Sequence, residues 1–295
     1  MADYILSCCS TADLDLKTFL ARDIHYACFH YMLNGVMYDD DLGQSMSYDQ
    51  FYAKLSEGAE TRTSQVNAAE FIAYFTPFLK EGKDILHVCL SSGLSGVYNS
   101  ACIARDELSE KFPERKIYIV DSLCASSGYG LLMDTLADMR DEGKPIEELR
   151  DFVVDRRQHL HHWFFSTDLS MYVKGGRISK TAGMFGTMLK ICPVLNVNTA
   201  GCLIPRLKCR GKRKAITEMV DQMEAHAEDG NNYSGKCFLS HSGCLQDALS
   251  VVELIVQRFP LLKEKPRIFT IGTTIGSHTG PGTVALYFWG DLRTE

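Results

Sequence analysis

Small hydroxyl side chains gather at two places where the sequence turns from a strand or polar stretch into a helix. The first is Ser91-Ser92-Gly93-Leu94-Ser95-Gly96. It follows the apolar run 85–90 and precedes Val97, Ala101, Ile103, Ala104 and Leu108, compatible with one buried helix face. A strand–loop–helix turn aims free backbone N–H groups and the positive end of a helix dipole at the loop. Its natural occupant is an anion, either a phosphate or a carboxylate. The serine hydroxyls add hydrogen bonds that backbone amides cannot aim. The same residues also fit a plain turn in which Ser95 caps the helix and the glycines permit tight geometry. The second place is Thr61-Arg-Thr-Ser-Gln65, ahead of a helix expected over 68–80. Thr63 and Ser64 there fit either a helix cap or a ligand contact.

A third run, Ile271 to Gly282, sets four glycines and four Ser/Thr residues around His278. The turn Gly280-Pro281-Gly282 is rigid and would hold that histidine in place, where it can donate to a carboxylate or move a proton near neutral pH. Ser95 as nucleophile with His278 as base would make a serine hydrolase. A nucleophile elbow, however, needs glycine where Val97 stands, and no acid partner lies close to His278 in sequence. A nucleotide or sugar-phosphate site is the other alternative. The loop lacks the Lys-Ser/Thr of a P-loop and the G-x-G-x-x-G of a dinucleotide fold, so no cofactor is expected. Arg177 follows Gly175-Gly176, and Arg210 lies in the basic stretch 206–214; both fit either an anion contact or an ordinary surface cation. His159-Leu-His-His162 has only Asp155 nearby and runs into Trp163-Phe-Phe165, which favours a structural role over a metal site.

The elements that position these groups alternate. Strands are expected over 4–7, 25–29, 85–90 and 117–120, with a hairpin at Asn34-Gly35 joining 31–33 to 36–38. Helices are expected over 14–20, 48–55, 68–80, 126–142 and 146–159. Strand–helix alternation of this kind implies a parallel sheet covered on both faces, an α/β fold. After about residue 160 the pattern changes. A strand over 164–168 leads to a helix over 169–174 and a short helical region over 179–189. Strands over 191–196 and 202–208 pair around Asn198-Thr-Ala-Gly201. Helices over 212–228 and 246–259 then alternate with strands over 236–240, 267–271 and 283–288. Two α/β domains are expected, residues 1–160 and 161–295, with the ligand between them.

With 295 residues the chain exceeds the usual size of one core, which agrees with two domains. A hydrophobic fraction of 45% with 23% charged residues describes an ordinary globular protein. No apolar run approaches the ~20 residues of a membrane span, and Met-Ala-Asp-Tyr does not open a signal peptide, so a cytoplasmic protein without stable membrane insertion is expected. The net charge of −6 argues against a nucleic-acid binder, which needs a basic face. Eleven cysteines, an odd number with no C-x-x-C pair, read as small buried hydrophobes rather than as disulfides or metal ligands.

Taken together, Thr63-Ser-Gln65, Ser91–Gly96, Asp121-Ser122, Tyr172-Val-Lys-Gly-Gly-Arg-Ile-Ser179 and Ile275-Gly-Ser-His-Thr-Gly-Pro-Gly282 resemble, in order and spacing, the DegV family of bacterial fatty-acid-binding proteins. The resemblance runs from Ser10-Thr-Ala-Asp-Leu14 to the C-terminus. Cys9 stands where the family commonly has Asp, and Val66 where it has Pro. The resemblance implies two α/β domains and a non-catalytic carrier of a long-chain fatty acid, presented to a separate fatty acid kinase that makes an acyl phosphate. By the same resemblance Thr63 and Ser95 would bind the carboxylate, with Ser64, Ser92 and His278 close by. Arg177 and Arg210 would serve the kinase step. A fatty-acid tail would need a long apolar tunnel, which residues within 185–195 are expected to help line.

Overall fold

The computed structural model describes residues 4–179 and 191–295. In chain order the first part runs β1 (Tyr4–Cys9), α1 (Leu16–Ala21), β2 (Ile24–Ala27), β3 (His30–Leu33), β4 (Val36–Asp39), α2 (Tyr48–Ser56), β5 (Thr61–Ser64), α3 (Ala68–Lys80), β6 (Asp84–Cys89), α4 (Val97–Lys111), β7 (Ile117–Asp121), α5 (Ser126–Asp141) and α6 (Ile146–Arg156). It continues with β8 (Leu160–Ser166), α7 (Ser170–Lys174), β9 (Ile191–Val197), β10 (Leu203–Arg210), α8 (Lys212–His226), β11 (Cys237–His241), α9 (Leu245–Arg258), β12 (Arg267–Thr270), α10 (Thr273–Thr279) and β13 (Thr283–Trp289).

The fold is mixed α/β. Strands β2, β1, β6 and β7 form a parallel sheet in that order. Parallel neighbours need crossovers: α1 lies between β1 and β2, α3 leads into β6, and α4 lies between β6 and β7. Helix α4, for example, buries Val97, Ala101, Ala104 and Leu108, steps of three and four that keep one face inward. The later strands form a six-stranded sheet ordered β10-β9-β8-β13-β11-β12, antiparallel except for the β11–β12 pair. A single connected hydrophobic core runs from Ile5 to Trp289 through both sheets.

Strands β4, β3 and β5 make a third, antiparallel sheet with its own small core of Tyr31, Leu33, Phe51 and Tyr52. Thr61–Ser64, read from the sequence as a polar interruption able to cap the next helix, is therefore a strand. The cap of α3 is Asn67, whose side chain accepts from Glu70 N while the Glu70 carboxylate accepts from Asn67 N. Tertiary pairing with β3 overrode the local signal of small hydroxyls.

Three other expectations shift. The helical stretch foreseen over 146–159 is α6 to Arg156 followed by a 3-10 turn over Arg157–His159, and β8 begins at Leu160, four residues earlier than read, with His161 and His162 both buried in it. The glycine-rich run at 271–282 holds a helix, α10, rather than only a turn. Its N-terminus is buttressed by two fully buried acids: Asp40 accepts from Thr273 Oγ1 at 2.7 Å, and Asp13 accepts from the backbone N–H of the cap residue Gly272 as well as from Ser126 Oγ of α5. Burial raises both carboxyl pKa values above the usual range, and the two acids reinforce each other at Asp13. The short helical region foreseen over 179–189 lies, after Ser179, outside the described residues. No helix among the described residues is long and apolar enough to cross a membrane.

Candidate ligand-binding site

Alternation along β5 turns Thr61 and Thr63 to one face, toward α10. Thr61 Oγ1 lies 2.7 Å from Ser277 Oγ, and Thr63 Oγ1 lies 2.7 Å from His278 Nε2. On the other side of the ring, His278 Nδ1 lies 3.3 Å from Arg177 Nη1. A guanidinium only donates, so Nδ1 accepts and the ring proton sits on Nε2. His278 then donates to the Thr63 oxygen, and the hydroxyl proton of Thr63 remains for another acceptor. Burial, and next the Arg177 charge, pull the His278 pKa down to about 4, so the ring is neutral at pH 7. Gly175 makes room for it, since a Cβ there would sit 2.3 Å from His278 Nδ1.

Arg177 leaves the end of α7 and donates to Gly175 O at 2.7 Å and to Leu94 O at 3.1 Å. Burial lowers its pKa, yet a guanidinium stays protonated. It thus sets a fixed positive charge beside Thr63, His278 and the Ser91–Gly96 loop. Within that loop Ser91 is buried and donates to Gly201 O at 2.8 Å, fastening the loop to the β9–β10 turn. Gly201 has φ +73°, and a Cβ there would collide with Ser91 Oγ. Ser95 Oγ accepts from Val97 N at 3.2 Å and donates to Gln65 Oε1 at 2.9 Å, while Gln65 Nε2 donates to Ser100 Oγ at 3.0 Å. If the Gln65 amide turned over, its N–H would donate to Ser95 and release the serine proton toward a ligand. The N-cap of α4 is Gly96 rather than Ser95; the Ser95 hydroxyl stands one residue before it, accepts from the first helical N–H and lines a cavity.

That cavity encloses about 740 Å³, mouth included, and is lined by Thr63, Ser95, Arg177 and His278 together with Phe29, Leu90, Phe164, Val197, Leu203 and Ile275. Several of its other polar groups are already satisfied by protein, though Thr274 Oγ1 is buried without a hydrogen-bond partner among the described residues. Tyr172 Oη pairs with Thr283 Oγ1 at 2.9 Å and Tyr287 Oη with Ser240 Oγ at 2.8 Å. His162 accepts from Ala125 N at 3.2 Å and donates to Leu160 O at 3.0 Å, which assigns its tautomer. The inner wall therefore offers few unmet hydrogen bonds, while the outer end holds a cation and a hydroxyl proton to spare.

Four of the sequence-derived candidates converge here: Thr63, Ser95, His278 and Arg177. Arg177 had been grouped with the kinase step, but it lies in the same cluster as the carboxylate candidates. Ser64 and Ser92 are exposed and do not line the cavity; strand alternation turns Ser64 away from Thr63, and Ser92 contributes only its backbone N–H, to Asp121. Arg210 is exposed at the end of β10, outside the cavity. Of the stretch 185–195, residues 185–190 fall outside the described residues, and 191–195 are not among the cavity-lining residues; Val197 and Leu203 line it instead. The geometry does not form a hydrolase triad. His278 bonds Thr63 rather than Ser95, and its far nitrogen faces an arginine where a triad has a carboxylate. Gln65, whose amide bonds Ser95 and Ser100, joins the site as a residue with no role assigned from the sequence; its adjacency to Thr63-Ser64 was the available signal.

A family model described as an uncharacterised protein of the DegV family matches residues 9–290. A DegV domain-containing protein of Clostridium perfringens is 37% identical over 293 residues, 99% of each chain. Among solved structures, a DegV family protein from Thermus thermophilus, described as binding fatty acid, is 26% identical with a TM-score of 0.86, covering 98% of this chain and 99% of that one. A hypothetical protein of Thermotoga maritima, described as revealing a fatty acid binding function, is 25% identical with a TM-score of 0.83, covering 99% and 100%. With a family model spanning nearly all of its length, the chain belongs to the DegV family.

Proposed function

We propose that this protein binds a long-chain fatty acid, with the carboxylate at Thr63, Ser95 and Arg177 and the tail in the apolar cavity. The observation that carries this reading is the Thr63–His278–Arg177 chain of hydrogen bonds, which leaves a hydroxyl proton and a positive charge at one end of an otherwise largely apolar cavity. A buried carboxylate is costly without several donors, and charge-assisted donors are the strong ones. The tail supplies the driving force: at ~0.8 kcal/mol per CH₂, a long chain gains on the order of 10 kcal/mol before binding costs. The two similar structures described as fatty-acid binding support the same ligand class. The two halves expected from the sequence would each contribute, Thr63 and Ser95 from the first, Arg177 and His278 from the second.

The test is lipid extraction of the purified protein with mass spectrometry, followed by uptake of added palmitate or oleate. Recovery of no long-chain acid together with no uptake sinks the reading.

In this reading the protein is a carrier without chemistry of its own, and it presents the carboxylate to a separate fatty acid kinase. Support comes from an open groove just outside the head-group cluster, which shares Thr63, Arg177 and His278 with the cavity and adds Arg62 and Lys174. Such a rim suits the negative charge of a phosphoryl group arriving from a partner. Arg210, exposed and away from the cavity, is assigned to the partner-facing surface.

A further inference from the structure

We propose that His161, His226 and Asp291 form a binding site for a transition-metal cation of the zinc class, remote in chemistry from the fatty-acid cavity. The three residues come from β8, the last turn of α8 and the segment after β13, so no sequence spacing announces them. Their ligand atoms, His161 Nε2, His226 Nδ1 and an Asp291 carboxylate oxygen, all lie within 4.8 Å of one another. Asp291 Oδ1 is 3.0 Å from His161 Nε2 and 3.2 Å from His226 Nδ1. A tetrahedral zinc with bonds of about 2.0–2.2 Å places its ligand atoms about 3.4 Å apart, close to the two spacings at Asp291; the two stacked rings must also turn until the ion lies in the plane of each. Two imidazoles and one carboxylate are a familiar zinc donor set with a fourth position left for water.

The surroundings hold these side chains in place. His161 is buried, its ring stacked between Phe288 at 5.2 Å and His226 at 5.0 Å, and Trp163 stacks on His226 at 5.9 Å. Backbone bonds from Gly290 N to His159 O and from Asp291 N to His226 O lock the three segments together. Gly290 permits this approach, because a Cβ there would lie 2.2 Å from His226 O. His226 is the last residue of α8, where the helix dipole favours a cation. Asp291 is exposed, so an ion has a way in from solvent. His161 Nε2 also lies 3.0 Å from Asp291 O, a bond that the metal-free cluster keeps and metal binding replaces. His162, the next residue, faces the cavity from the other side of β8, so an ion here would pin the strand that forms part of the cavity wall.

The test uses untagged, chelator-stripped full-length protein. Zinc is titrated into the wild type and into His226→Gln and Asp291→Asn, with bound metal read by mass spectrometry after gel filtration. The wild type should hold one zinc more than either variant, or bind that zinc at least tenfold more tightly. Cobalt(II) should give visible d–d bands without a thiolate charge-transfer band. Neither variant touches the cavity, so both should keep fatty-acid binding. Should a variant fail to fold, protection of His226 from carbethoxylation by zinc in the wild type decides instead. Equal stoichiometry and affinity in all three proteins, a thiolate band with cobalt, or absent protection overturns the proposal and leaves Asp291 as a hydrogen-bonded bridge between two histidines.

Discussion

Replacing Thr63 by valine tests the head-group assignment with almost no change of shape. In the free protein the substitution removes the acceptor of His278 Nε2–H, now 2.7 Å away. An unsatisfied buried donor costs about 1–3 kcal/mol, so the variant should unfold at lower temperature whether or not it binds lipid. That penalty is present in both free and bound protein and largely cancels from the affinity. What remains is the loss of the Thr63 proton to a carboxylate. A hydrogen bond to a charged group contributes about 1.5–3 kcal/mol, so the dissociation constant for palmitate should rise roughly ten- to 150-fold. The corresponding long-chain alcohol forms only a neutral bond, about 0.5–1.5 kcal/mol, and should lose roughly tenfold or less. The assay is displacement of a fluorescent fatty acid by each competitor, with thermal unfolding followed in parallel. Equal loss for acid and alcohol, or an unchanged affinity for the acid, would refute the placement of the carboxylate at Thr63.

Three further outcomes follow from the same geometry. Ala285 is buried on β13 and lines the cavity, so Ala285→Leu should shorten the space for the tail. Binding should fall selectively for the longest acids, against a wild-type trend of about fourfold per CH₂ from ~0.8 kcal/mol, and a uniform loss across chain lengths would count against a tail in that cavity. Arg177→Ala should weaken acid binding because it removes the charge beside the head group, whereas Arg210→Ala should spare binding and slow only acyl-phosphate formation with a kinase; equal effects on binding would break the division of roles. His87 is fully buried, with its pKa pulled by burial to about 3. The unfolded chain, near 6.5, therefore takes up protons that the folded one does not, so stability is intact above that value and falls by about 1.4 kcal/mol per unit as pH drops toward the folded pKa. A His87→Gln variant should show a flatter decline of unfolding free energy on acidification, and an unchanged slope would mean that His87 titrates normally.

Much of this protein is legible in its sequence because its elements are amphipathic with clear periods. The run 85–90 reads as a buried strand and is one, β6, the steps from Val97 to Leu108 keep one helix face inward, and Asn34-Gly35 announced its hairpin. Hydroxyls before a helix and a histidine among glycines marked Thr63, Ser95 and His278 by residue type, while the resemblance to the DegV family singled out Thr63 and Ser95 and gave Arg177 a role. Their partners could not be read that way. Thr63 and Ser64 are equal in the sequence, and only the pairing of Tyr31 with Thr63 in the small sheet fixed which hydroxyl faces His278. The His278 tautomer, and with it the freedom of the Thr63 proton, depends on an arginine 101 positions away. The cluster of His161, His226 and Asp291 joins three segments that no motif connects. Local chemistry and periodicity are properties of neighbouring residues, so the chain alone determined its elements and its candidate groups. Hydrogen-bond partners, burial and charge at a site are set by residues brought together across the fold, and tertiary structure alone decided those.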